Sequence, residues 1–376
     1  GISAVSGLGC SITEHAIAME KGNIGLRPLS KLLGNHCDCG TLLGSWIKDG
    51  TLLNSRKWAP ASALALHCAK QAISDAGLLG SELKNAAIIA GSSRGNAWLG
   101  EWPDRRPFKL MAASNSMHGE IASAVSIELG ITGPWQTVAS GCAASLDAVG
   151  MAWMMLQCGM IRHAIVIGVE LPLVPEIVQG YIDTGVLSTN GMNDPYHPET
   201  SGFFPGEAGC ALVLTTDETT SSPLIDGYWC NSDADSPIGM PEDGRGLRDC
   251  IESALAGLPI NTEVSAICPH ASGTHLHSIA EEQALLDALH PTSPISLHPL
   301  KPFTGHTVGA SGALDTAILT HYLRNQKLPP NLNLTPPPSP FTLPLEPIPA
   351  QGSILKIAVG MGGHNSIIAM RPPQSN

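Results

Sequence analysis

The chain has 376 residues and a formal net charge of −12, with 43% hydrophobic and only 14% charged residues. The acidic balance, without a basic stripe, excludes general nucleic-acid binding, and no apolar run reaches the roughly 18 residues that a membrane span needs. So lean a charged surface predicts that part of it is covered by another subunit, as a homodimer or a heterodimer with a related chain.

Ten cysteines are scattered, mostly in apolar stretches where they read as small hydrophobes, so a reduced, cytoplasmic protein is expected. The opening Gly1-Ile2 has neither a charged n-region nor a cleavage site, and no signal peptide is expected. Cys37 and Cys39 beside His36 form the one close pair, but no second ligand pair follows and no metal is expected there.

In chain order, the first helix is predicted over 61–77, with apolar positions at i, i+3 and i+4 and a closing Gly77. Short apolar runs at 87–90 and 164–167, each ending in Gly, read as buried strands, as do 210–214, 265–268 and 354–359. Between them Cys142 opens CAASLDAVGMAWMML, apolar nearly all round and hence a buried helix. Gly309 opens GASGALDTAILTHYL, with the same small-residue entry and the same Leu-Asp pair. The echo suggests a duplicated α/β fold in two halves, 1–217 and 218–376, divided in the polar stretch 215–222. The Pro-rich tract 329–349 reads as an extended surface excursion.

Four segments could carry chemistry. Cys142 sits at a small-residue turn into a helix, where the positive end of the dipole favours thiolate; a buried structural cysteine is the alternative. His270 follows a strand, where α/β folds place their sites. His275 and His277 close by raise a metal cluster, but no carboxylate or thiolate partner accompanies them. Lys301-Pro302-Phe303-Thr304-Gly305-His306 opens the second buried helix, and Gly360-Met361-Gly362-Gly363-His364-Asn365 is a glycine turn able to present backbone N–H groups.

Taken in this order, these segments resemble the β-ketoacyl carrier-protein synthases of the thiolase-like fold, in the elongating Cys-His-His branch. The resemblance runs from the opening Gly1-Ile2-Ser3-Ala4-Val5-Ser6-Gly7-Leu8-Gly9 through Gly133-Pro134, Cys142 and Gly206-Glu207-Ala208-Gly209 to the final glycine turn. It implies an α/β, thiolase-like duplicated α-β-α-β-α layered fold. It implies Cys142 as acyl nucleophile, His270 and His306 as the pair that promotes malonyl decarboxylation, and Lys301 as the electrostatic lysine. Glu281 and Asp315 would support them, and the N–H groups of Cys142 and Met361 would form the oxyanion hole, with Gly360, Met361 and Gly362 as the gate. Ser272 and Thr274 would contact the phosphopantetheine arm, which the acyl carrier protein brings, so no cofactor of its own is expected. Arg56 and Lys57 match a basic docking patch, with Arg94, Arg105 and Arg106 as further candidates; 96–108, Met117 and His118 fall where the family lines its pocket and dimer face.

The sequence departs from the family pattern at Ala271 (usually Gly), Ser278 (usually acidic), Asp315 (usually Glu) and Met361 (usually Phe), and 195–203 lacks the usual Asp and Arg. These departures lean toward a type II polyketide or polyene pathway. A thiolase would carry a second cysteine in the last glycine turn, and an initiating synthase an Asn in place of His306. A non-catalytic chain-length partner would lack Cys142.

Overall fold

The computed structural model describes residues 1–96, 117–217, 221–260, 262–289, 294–335 and 340–373. The first sheet is built from β1 (Ile2–Ser6), β2 (Ala87–Gly91), β3 (Trp135–Val138), β4 (His163–Glu170) and β5 (Ala208–Thr215), in the order β1-β5-β4-β2-β3. Strands β3, β2 and β4 run parallel, and β5 is antiparallel to both β4 and β1. The second sheet holds β6 (Leu224–Ser232), β7 (Val264–Cys268), β8 (Ile295–Leu297), β9 (Phe341–Thr342), β10 (Ser353–Gly360) and β11 (His364–Arg371), in the order β9-β8-β7-β10-β11-β6. Without the short edge strand β9, its order and strand directions repeat those of the first sheet.

The main helices are α1 (Pro60–Ala76), α2 (Glu120–Leu129), α3 (Ala144–Gln157), α4 (Arg245–Gly257), α5 (His275–Leu289) and α6 (Ser311–Arg324). Strand alternation decides where they pack. Ile89 of β2 and Ala266 of β7 face inward, with Leu146 of α3 and Leu314 of α6 between the sheets. Ile88 faces outward onto α1 and α2, and Ile267 onto α4 and α5. With both faces covered, β2 and β4 are buried throughout, which is why they read as unbroken apolar runs. The result is a five-layer, thiolase-like α-β-α-β-α arrangement. The two central helices touch backbone to backbone: a Cβ added to Gly312 would lie 2.4 Å from the Leu146 nitrogen.

Two expectations need correcting. The buried helix begins at Ala144, because Gly141–Ala143 forms a 3₁₀ turn entered through Gly141 at φ +60°. The 329–349 tract also contributes strands: β9 pairs with β8, and Ile348–Pro349 pairs with Lys327–Leu328. Both lie at sheet edges, where a proline's missing N–H breaks no ladder.

Candidate active site

Three strand ends converge on one place. Cys142 follows β3, His270 follows β7 and Met361 follows β10, while Lys301 and His306 arrive on the turn before α6. His306 Nε2 lies 3.2 Å from Cys142 Sγ, and the His270 and His306 rings meet edge to face with centroids 5.2 Å apart. All four side chains, Lys301 included, are buried.

The hydrogen bonds assign the protons. His270 Nδ1 accepts the Val359 N–H at 3.2 Å and faces Lys301 Nζ at 3.5 Å, so its proton sits on Nε2. Lys301 also donates to the His270 carbonyl. His306 Nδ1 lies 3.2 Å from Ser311 Oγ, which leaves Nε2 as the lone pair facing the thiol when Nδ1 donates. Burial, reinforced by the Lys301 charge, holds both imidazoles well below the usual histidine range. Burial pushes the Cys142 thiol up to about 11, with the Lys301 charge and the Met361 N–H pulling the other way. Burial and the neighbouring Lys356 charge bring Lys301 down to about 8. Desolvation therefore outweighs the thiolate-favouring helix terminus expected from sequence. The resting pair is a neutral thiol beside a neutral imidazole able to take its proton.

Glu281, fully buried, accepts the N–H groups of His270 at 2.6 Å and Ala271 at 2.8 Å, and lies 3.4 Å from His277. It fixes the loop that carries His270. Burial alone would raise its pKa, but His277 and those two N–H groups hold it below the ordinary value. Asp315 pairs with Lys356 at 2.5 Å, both fully or almost fully buried, rather than with Lys301. Gly360 presses on the nucleophile turn, its hypothetical Cβ only 2.7 Å from the Ser140 carbonyl, and Gly362 and Gly363 turn away at φ +94° and +77°. Met361 is 44% exposed and so fills no core position.

Ser272 lines a cavity with Asn193, Lys301 and His306, and its Oγ lies 3.2 Å from Thr274 Oγ1; Thr274 itself does not line it. Arg56 is exposed, while Lys57 is held by Glu128 at 2.5 Å and lies over Trp58. Arg94 is exposed in the loop after β2, 5.7 Å from the Tyr181 ring centre. Met117 and His118 are exposed, and Arg105, Arg106 and 97–108 lie outside the described residues. Among the described residues the one three-ligand group that could hold a metal ion is Glu82, His163 and Asp217, where Asp217 already pairs with Arg162. His275, His277, Cys37 and Cys39 take no part in it.

The model of the β-ketoacyl synthase N-terminal domain matches residues 50–220, and that of the C-terminal domain matches 223–335. The chain belongs to the β-ketoacyl synthase family. It is 27% identical to the 3-oxoacyl-[acyl-carrier-protein] synthase 2 of Synechocystis sp., over 100% of this chain and 97% of that protein. In structure it resembles a type II polyketide ketosynthase solved with its acyl-carrier protein (TM-score 0.83, 22% identity, 99% of this chain and 98% of that one). It also resembles the ishigamide ketosynthase/chain length factor (TM-score 0.85, 21% identity, 99% and 98%).

Several residues of this ketosynthase site escaped the sequence reading. Asp147 accepts hydrogen bonds from Ser140 Oγ and from Tyr228 OH at 2.9 Å, and lies 2.8 Å from His364 Nε2. It thereby ties the Cys142 turn to the last glycine turn. Glu170, fully buried, accepts the N–H groups of Ser93, Arg94 and Gly309, and burial pushes it up to about 7. Phe203 stands edge-on to His306 at 5.1 Å and to Tyr181 at 5.4 Å. The repeated Leu-Asp pair was the one available signal: Asp147 and Asp315 occupy matching places in α3 and α6, and each finds its cation on a strand of the second sheet.

Proposed function

We propose that this ketosynthase extends carrier-bound acyl chains by decarboxylative condensation with a malonyl thioester, using Cys142, His270, His306 and Lys301. The 3.2 Å approach of His306 Nε2 to Cys142 Sγ, with His270 stacked behind, carries the reading. Cys142 Sγ attacks the acyl thioester carbonyl as its proton passes to His306 Nε2. The oxyanion is held by the Cys142 and Met361 N–H groups, each worth roughly 3 kcal/mol. Collapse expels the carrier's pantetheine thiolate, which takes the proton from His306 and departs as the thiol, leaving acyl-Cys142. Malonyl thioester then enters beside Ser272, and its carbonyl oxygen accepts from His270 Nε2–H and from His306 Nε2–H, the latter in the tautomer in which the Ser311 hydroxyl donates to Nδ1. Carbon dioxide departs, the enolate carbon attacks the acyl-cysteine carbonyl, and Cys142 leaves as thiolate. Lys301, buried against His270, keeps both imidazoles neutral, so they act as donors that stabilise the enolate.

The phosphopantetheine arm belongs to the carrier, and this chain needs no cofactor in the scheme. Exposed Arg56 is the docking residue we favour, since Lys57 is already paired with Glu128. We read the chain as two halves, 1–217 and 218–376, each built on one sheet. The free edge of β3, with Trp135 at 43% exposure and Ile127 of α2 at 60%, is where we place a second ketosynthase-like subunit, identical or related. Ten free thiols suit a reducing, cytoplasmic setting, and among the described residues no helix is long and apolar enough to cross a membrane. Separating His270 from Cys142 in function tests the scheme: His270→Ala slows malonyl decarboxylation far more than acyl transfer to Cys142.

A further inference from the structure

A series of side-chain contacts leads from the thiol to a charge. His306 stands 3.2 Å from Cys142, Phe203 stands edge-on to His306, Tyr181 edge-on to Phe203, and the Arg94 guanidinium carbon lies 5.7 Å from the Tyr181 ring centre. Neither Phe203, Tyr181 nor Arg94 lines the cavity that holds Ser272 and Lys301, so this series of contacts is separate from that cavity's wall. The root of Arg94 is fixed. Its N–H donates to Glu170 Oε1 at 2.8 Å, and Ser93 donates to Oε2 at 2.6 Å. The same Oε2 accepts the Gly309 N–H at 3.2 Å, three residues beyond His306. A Cβ on Gly309 would lie 2.4 Å from the Ser93 nitrogen, so the Arg94 loop is pressed onto the turn that carries His306.

The guanidinium at the end of this series is exposed, and among the described residues it has no carboxylate partner. Glu170, the nearest acid along the chain of contacts, is occupied by backbone donors. An alkyl chain laid against a guanidinium that has no carboxylate would strip its water without replacing those hydrogen bonds, which is costly. A carboxylate there would be held by the fork of a planar donor.

We propose that Arg94 sets acyl specificity in this site, receiving a carboxylate at the far end of the acyl group on Cys142, so that ω-carboxylated acyl thioesters are preferred over plain alkanoyl ones. The proposal rests on the reading of Cys142 as the acyl-carrying nucleophile. A site that hydrogen-bonds its substrate discriminates strongly against the analogue lacking that group. Truncating a charge-assisted contact costs about 10-fold or more.

The test compares adipoyl and hexanoyl carried on the same acyl carrier protein, with transfer to the intact enzyme followed by mass. Wild type favours adipoyl. Arg94→Leu lowers the adipoyl-to-hexanoyl rate ratio about 10-fold or more, and Arg94→Lys lowers it less, keeping charge without the fork. An unchanged ratio in Arg94→Leu overturns the proposal. So does slowed malonyl decarboxylation with acyl discrimination intact, which would give Arg94 to the malonyl carboxylate. A binding arm separates this from the nucleophile reading: in Cys142→Ala, calorimetry compares adipoyl- and hexanoyl-pantetheine amides. Preference for the adipoyl amide that Arg94→Leu removes supports the proposal even if no acyl group ever reaches Cys142; equal affinities refute it.

Discussion

Asp147 joins the Cys142 turn to the last glycine turn, the two turns to which we assign oxyanion stabilisation, and Asp147→Asn measures what that joint contributes. Three groups converge on the carboxylate: Ser140 Oγ from the Cys142 turn, Tyr228 OH from β6 and His364 Nε2 from the glycine turn. Asparagine offers one oxygen and an NH₂ group, so a hydroxyl must turn to accept the NH₂, and the charge facing His364 is lost. The weakened hydroxyl bonds, plus the lost ionic component with His364, cost about 2 kcal/mol of stability. The catalytic effect has a separate cause. With the tie gone, the Met361 N–H loses its fixed position over Cys142, and single-turnover acylation should slow by about 10- to 100-fold.

The pH dependence carries the sign. Asp147 raises His364 above the usual histidine value, so the pair's contribution is fully present below that value and fades as pH rises through the raised one. Burial would raise Asp147, but the His364 and Ser140 bonds hold it below the ordinary carboxylate value, so the acid limb is lost only at low pH. The stability gap between wild type and Asp147→Asn should therefore be widest in mildly acidic buffer and narrow toward alkaline pH. Denaturant melts across pH, paired with rapid-quench acylation monitored by mass, read both effects. Lost stability with an unchanged acylation rate would refute a positioning role, and a gap that widens with pH would refute the ion pair.

Three further outcomes are expected. Ala271 sits at φ +44°, where a Cβ is strained, so Ala271→Gly should stabilise by about 1 kcal/mol in denaturant melts; a loss of stability would mean the strain is absent. Lys356→Met leaves Asp315 buried without its cation and should cost about 3–5 kcal/mol, while Lys356→Met with Asp315→Leu should recover most of it; additive costs would contradict a coupled pair. His270→Ala should slow malonyl decarboxylation, followed as carbon dioxide release, by about 100-fold and acyl transfer by only a few-fold; equal losses would deny His270 a separate role.

What sequence could disclose follows from the length scale of each feature. The strands under the site are contiguous apolar runs closed by glycine, and the nucleophile turn is a contiguous set of small residues, so both are readable locally. Tyr228, His364 and Asp147 come together from β6, β11 and α3, and no local pattern announces their meeting. Arginine after a strand reads as a surface charge, yet the Glu170 cradle turns Arg94 toward Tyr181. Cys142 shows the same limit in its energetics. A helix entry argues for thiolate, but the burial that raises the thiol arises from side chains distant in sequence.

The most direct test of the account is intact mass after incubation with acyl-loaded carrier protein, followed by peptide mapping. The account predicts one acyl increment on Cys142 of the wild type and none on Cys142→Ala. Unmodified wild type across a panel of acyl carriers, or an acyl group mapped to another cysteine, would contradict it.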